Sequence, residues 1–199
     1  VTAAPTVFVV DDDAAVGRAV AGAGKVLGHP VRAFASAADF LAAYAGEPGC
    51  LVLDVRMPGM TGLELQRKLA DDGVSLPVVM ISGHADVRTA VAAMTLGAVT
   101  LLEKPFRLEE LLGHVRAALA RDAAERAARQ SARAAGARLA GLTAKEREVL
   151  DLIAAGRTNR EMADALGLSV RAVEDRRARL MKKVDAGSVA ELVRLLAGQ

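Results

Sequence analysis

Over residues 1–120 the chain alternates short β-rich runs with helical stretches, and this alternation limits the fold more than any other feature. The runs are Thr6–Val10, Val31–Phe34, Cys50–Val55, Val78–Ser82 and Thr100–Glu103. The helical stretches are Ala14–Leu27, Ser36–Tyr44, Thr61–Leu69, Asp86–Leu96 and Leu108–Ala120. Strands that alternate with helices predict an α/β domain with a parallel sheet covered on both faces. VFVV, LVLDV and VVMIS are almost wholly apolar, as strands buried on both sides must be. The crossovers are expected to be right-handed.

In such a sheet, ligands bind outside the carboxyl ends of the strands. Asp11, Asp12 and Asp13 follow the first strand, Asp54 lies near the end of the third, Ser82 ends the fourth, and Lys104 follows the fifth. Asp11, Asp12, Asp54, Ser82 and Lys104 should therefore converge from distant parts of the chain. Crowded carboxylates repel, and a hard divalent cation such as Mg²⁺ relieves that repulsion. A phosphoryl group entering the pocket would need a cation and a hydroxyl around its oxygens, which Lys104 and Ser82 supply. Asp54 would then be the nucleophile that forms an aspartyl-phosphate. Pro105 biases Lys104 to an extended backbone, and a cis bond would aim it into the pocket. Asp13 is either a further acid of the pocket or a turn residue. His84 lies at the pocket mouth or faces solvent.

These segments resemble the receiver domain of bacterial response regulators. VVDDD, LVLDVRMPGMTGLEL, VVMISGHAD and GAVTLLEKPF carry the resemblance, which covers residues 6–120. It implies a flavodoxin-like (βα)5 fold with strand order 2-1-3-4-5. It implies phosphorylation of Asp54 by a histidine kinase. It also implies Mg²⁺ held by Asp12 and Asp54 directly, by Asp11 directly or through water, and by the backbone carbonyl of Arg56. Ser82 and Lys104 would bind the phosphoryl oxygens. One departure is Leu101, which stands where receivers usually carry an aromatic switch residue.

Charge divides the chain further. Residues 1–120 carry 10 Lys+Arg against 13 Asp+Glu, whereas residues 121–138 carry 5 against 2 and residues 139–199 carry 11 against 9. An acidic first part and a basic second part point to two jobs. Residues 121–138, RDAAERAARQSARAAGAR, are rich in strong helix formers. They read as a helical extension of the fifth helix with a hinge near Gly136.

From Leu142 the pattern is purely helical. Thr143 and Glu146 form a capping box, and Gly156 closes that helix. Thr158–Leu166 is a second helix, Ser169 caps a third that runs to about Val184, and Ser188–Ala197 is a fourth. The second and third are joined by Gly167 and Leu168 at helix-turn-helix spacing. At about 100° per residue, Val173, Leu180 and Val184 fall within about 20° of one line, with Met181 at the margin. Arg171, Asp175, Ala178 and Lys182 fall on the opposite face, flanked by Glu174 and Arg179. Six Lys+Arg against two acids between Ser169 and Val184 suit a DNA groove.

LTAKEREVLDLIAAGRTNREMADALGLSVRAVEDRRARLMKKV is similar to the LuxR-type DNA-binding domain of NarL/FixJ response regulators, a resemblance that covers residues 139–199. It implies a small all-α four-helix domain with Ser169–Val184 as recognition helix and Ser188–Ala197 as dimerisation helix. Asp175 and Arg176 depart from the usual valine and histidine of such domains. Arg171, Arg177, Arg179 and Lys182 are candidates for phosphate contacts, with Arg177 nearest the core side. Glu174 and Asp175 are candidates for cytosine contacts or are repelled by phosphate.

The resulting expectation is a two-domain transcriptional regulator, with a receiver over residues 1–120, a linker over 121–138 and a DNA-binding domain over 139–199. It is a switch and not an enzyme. Its partners would be a histidine kinase, double-stranded DNA and, on phosphorylation, a second copy of itself. A phosphorylation-independent DNA-binding protein is the first alternative, and a Mg²⁺-dependent phosphohydrolase is the second. The single cysteine, Cys50, excludes a disulfide framework or Cys-rich zinc site and should be an inert buried thiol. No apolar run reaches the roughly 20 residues of a membrane span. Val1–Val10 lacks a basic flank and runs into three aspartates, so a cytoplasmic protein without a signal peptide is expected.

Overall fold

The computed structural model describes residues 4–84 and 86–197, so the first residues of the Val1–Val10 stretch lie outside the description. The chain divides into two compact units between Arg126 and Ala127.

The first unit is built on strands β1 (Thr6–Val10), β2 (Val31–Phe34), β3 (Gly49–Asp54), β4 (Val78–Ser82) and β5 (Thr100–Glu103). All neighbours pair in parallel, in the order β2-β1-β3-β4-β5 that the receiver resemblance implies. Helices α1 (Ala14–Leu27), α2 (Ala37–Ala43), α3 (Gly62–Asp71), α4 (Val87–Thr95) and α5 (Leu108–Ala140) follow the strands in turn.

Because successive strand residues point to opposite faces, the apolar runs feed two cores. Val7, Val9, Cys50, Val52, Val79 and Ile81 pack with Val20 of α1 and with Leu111 and Val115 of α5. Phe8, Val10, Leu51, Leu53 and Met80 pack with Phe40 of α2, Leu65 of α3 and Ala93 of α4. Each fully buried Leu, Ile or Phe contributes about 1.5–3 kcal/mol, so the two cores bind all five helices to the sheet. Cys50 is fully buried. Burial, helped by the nearby Asp122 charge, pushes its thiol up to about 12, which makes it unreactive.

One expectation fails. No hinge occurs at Gly136, and α5 runs through it to Ala140. A single glycine costs a helix interior about 1 kcal/mol relative to alanine. Here Ala135 and Leu139 on either side are buried, Leu139 within the second unit's core.

The second unit adds α6 (Ala144–Ala154), α7 (Asn159–Leu166), α8 (Val170–Val184) and α9 (Val189–Ala197). Capping boxes start α6, from Thr143 and Glu146, and α7, from Thr158 and Glu161. Gly167 ends α7 in the left-handed conformation (φ 64°), and the Ser169 hydroxyl accepts from Ala172 N–H to start α8. Val149, Leu150, Ile153, Met162, Val173, Leu180, Val184 and Leu192 form its core.

Candidate phosphoacceptor pocket and DNA-binding face

Asp54 is the last residue of β3, and parallel pairing sets it beside Ile81 of β4. Val55 N–H donates to the Ile81 carbonyl, which carries the pairing one step past Asp54. Ser82 pairs with Glu103, and Lys104 N–H donates to the Ser82 carbonyl. Sheet register thus brings Asp11, Asp54, Ser82 and Lys104 to one edge.

The side chains of Asp11, Asp54 and Lys104 meet there. Lys104 Nζ donates to Asp11 Oδ2 and to Asp54 Oδ1, both at 2.8 Å. The Lys104–Pro105 bond is cis. Asp11 and Asp54 are each only 4% exposed, so neither carboxylate is solvated like a surface acid. Arg56 N–H donates to Asp54 Oδ2 at 2.6 Å, and Asp13 N–H donates to Asp11 Oδ1 at 2.8 Å. Burial raises the pKa of Asp11, and the Lys104 and Asp13 hydrogen bonds only partly offset it. Burial works against the Lys104 ammonium, but its hydrogen bonds to Asp11 and Asp54 outweigh that and raise its pKa. Lys104 is therefore charged at neutral pH.

The donor chemistry fits a hard divalent ion: two buried carboxylates, with Asp12 exposed beside them. Among the described residues, no three His, Cys, Asp or Glu side chains are already arranged to hold a metal. Donors beyond Asp11 and Asp54 would come from Asp12, the Arg56 carbonyl and water.

The other residues singled out around the pocket also have definite positions. Ser82 is fully buried, and its hydroxyl donates to the His84 carbonyl at 2.9 Å. Asp13 is the N-cap of α1, accepting from Ala15 N–H at 2.8 Å, which settles it as a helix-capping residue. His84 is exposed. Leu101 packs half-buried against the core on the α2–α4 face of the sheet.

Gly62 is a residue whose need the sequence did not signal. A Cβ there would lie 2.1 Å from the Asp54 carbonyl oxygen, while Gly62 N–H donates to the Val55 carbonyl. The first turn of α3 is thus seated directly on the acceptor strand.

In the second unit, Val173, Leu180 and Val184 are buried, and Arg171, Glu174, Asp175, Ala178, Arg179 and Lys182 are exposed. Arg177 is half-buried and donates to Asn159 Oδ1 at the start of α7. Asn159 Nδ2 in turn donates to Glu174 Oε1 at 3.4 Å. Asn159, absent from the sequence reading, therefore ties two recognition-helix side chains to α7. No pattern in the sequence marks such a bridge, because it depends on how α7 crosses α8.

Comparison with known proteins places both units. Residues 7–116 match the response regulator receiver domain, and residues 140–196 match the luxR family of bacterial regulatory proteins. The chain belongs to the response regulators that join a receiver domain to a LuxR-type DNA-binding domain, and it is a transcriptional regulator of the two-component class. It is 46% identical over 198 residues to the transcriptional regulatory protein FixJ of Azorhizobium caulinodans, spanning 96% of this chain and 92% of that protein. It is 42% identical to the tetrathionate response regulatory protein TtrR of Salmonella typhimurium, over 95% of this chain and 90% of that one. The solved structure of response regulator StyR shares 37% identity and a TM-score of 0.85, covering 99% of this chain and 100% of that one. Full-length FixJ from B. japonicum shares 37% identity with a TM-score of 0.59, over 98% and 96% of the two chains. Among the described residues, no helix is long and apolar enough to cross a membrane.

Proposed function

We propose that Asp54 accepts a phosphoryl group from a histidine kinase and that its phosphorylation controls dimerisation and DNA binding. The observation that carries this reading is Lys104 Nζ at 2.8 Å from both Asp11 and Asp54. A carboxylate oxygen of Asp54 attacks phosphorus. The bond from phosphorus to the donor atom, an imidazole nitrogen of the kinase, breaks, and that nitrogen keeps the electron pair. The product is an acyl phosphate on Asp54. Lys104 balances charge on the phosphoryl oxygens, and the Ser82 hydroxyl donates to one of them once released from His84. Asp11, Asp12, Asp54 and the Arg56 carbonyl would hold Mg²⁺, which when bound neutralises phosphoryl charge.

The exposed face of α8 meets the DNA. Arg171, Arg179 and Lys182 serve phosphate contacts, and Glu174 and Asp175 face the base edges. Arg177 acts through Asn159. Two copies joined on phosphorylation would read a two-fold site. The protein works in the cytoplasm, where its DNA and kinase are, and turns over no separate metabolite. The receiver fold, to about residue 120, is extended by the turn of α5 that carries Asp122 and Arg126, and the linker leads from there to the DNA-binding domain at 139.

Intact-mass measurement after acetyl phosphate and Mg²⁺ tests the acceptor. One added phosphoryl group is expected in the parent and none in Asp54→Ala. Undiminished labelling of Asp54→Ala would remove Asp54 from the role.

A further inference from the structure

Asp122 is a charged residue that the phosphoacceptor chemistry does not use, yet it is only 1% exposed. It lies on α5, close to where the first unit ends. Its Oδ2 accepts from Gly49 N–H at 2.9 Å, at the first residue of β3. Arg126 Nε donates to both Asp122 oxygens, at 2.8 and 2.9 Å. Arg126 Nη2 also donates to the Glu47 carbonyl at 3.0 Å. One helical turn of α5 is thus latched to the loop before β3 and to the strand that carries Asp54 at its other end.

The anchor point is stiff. A Cβ on Gly49 would lie 1.9 Å from the Thr6 carbonyl, so β3 begins pressed against β1. Burying an ion pair is a poor way to gain stability, since apolar residues of similar volume serve as well or better. A directional latch does something apolar packing does not. Hydrogen bonds need alignment, so the pair fixes the rotation and register of α5 against the sheet.

The same helix continues to Ala140; in its last turns Ala135 and Leu139 are buried, Leu139 within the second unit's core. From Ala127 to Ala134 it is exposed apart from half-buried Arg129. The Asp122 latch adds a directional tie to the apolar packing of Leu111, Val115, Ala118 and Leu119, which holds the first turns of the helix to the sheet.

We infer that Asp122 and Arg126 are positioning residues for signal output, holding α5 so that the state of Asp54 reaches the DNA-binding unit. The role rests on the phosphorylation-controlled DNA binding proposed above. Breaking the latch should leave phosphorylation intact and uncouple it from DNA binding.

The full chain is compared with Asp122→Asn, which keeps volume and an acceptor for Gly49, and with Arg126→Gln. DNA sites are first selected by the phosphorylated parent from a random library. Phosphorylation by acetyl phosphate and Mg²⁺ is read by intact mass, and DNA affinity is read in both states. Coupling between two sites is typically about 5–150-fold, and the parent's gain on phosphorylation should lie in that range. In both variants phosphoryl incorporation should match the parent while the gain collapses toward about one-fold. Variants that keep the parent's gain overturn the role. Variants that lose phosphorylation together with folded structure, read by circular dichroism, also overturn it and make the pair a stability element. A parent that is phosphorylated but shows no gain contradicts the regulatory reading itself, and the latch role falls with it.

Discussion

Lys104 shows what single residues decide. One ammonium bridges two buried carboxylates, one just past β1 and one at the end of β3. The meeting of Asp11, Asp54 and Lys104 was legible in the sequence because strand ends converge by topology, whatever the rotamers do. Asp13 was ambiguous in the sequence, because an acid after a strand serves as a pocket ligand or as a turn residue. The hydrogen bond from Ala15 N–H makes it a cap. In the second unit the Val173 stripe followed from helical period alone, but the tie from Arg177 to Asn159 did not. That tie yields a contrast between two cations of α8. Lys182 is exposed, so Lys182→Ala should weaken DNA binding and lower the salt slope by about one unit. Arg177 spends its guanidinium on Asn159, so Arg177→Gln should weaken binding with the slope unchanged. Binding measured across a salt series checks both, and equal slope losses would make Arg177 a phosphate contact.

At the scale of elements, strands and helix starts were the most legible. Apolar runs mark strands buried on both faces, and Ser, Thr and Asp caps mark where helices begin. The end of α5 was not legible, because burial of Ala135 and Leu139 outweighs the local cost of Gly136. Close backbone approach was equally hidden. Gly62, the second glycine of MPGMTGLEL, looks like an ordinary helix start, yet it lets α3 sit on the Asp54 carbonyl. Gly62→Ala must push α3 away from β3, against backbone that cannot turn aside. Such overpacking costs about 1–3 kcal/mol, read as a lower denaturation midpoint. Phosphorylation at Asp54 should slow in the same variant. A parent-like midpoint and rate would mean that α3 is not held there.

For the whole molecule, the sequence showed its two-part character through charge and through the change from alternating to purely helical pattern. What it could not show was where the first part lets go of the chain. Residues 121–126 look like linker by composition, but Asp122 and Arg126 belong to the first unit by their hydrogen bonds. The proposed switch joins a phosphorylated carboxylate in one unit to a DNA-binding helix in the other, and this claim can be met directly. DNA affinity is measured for the parent and for Asp54→Ala, each with and without acetyl phosphate and Mg²⁺. The parent should bind about 5–150-fold more tightly after phosphorylation, and Asp54→Ala should bind alike in both conditions. Tightening that persists in Asp54→Ala, or a phosphorylated parent that binds no better than the untreated chain, would contradict the account.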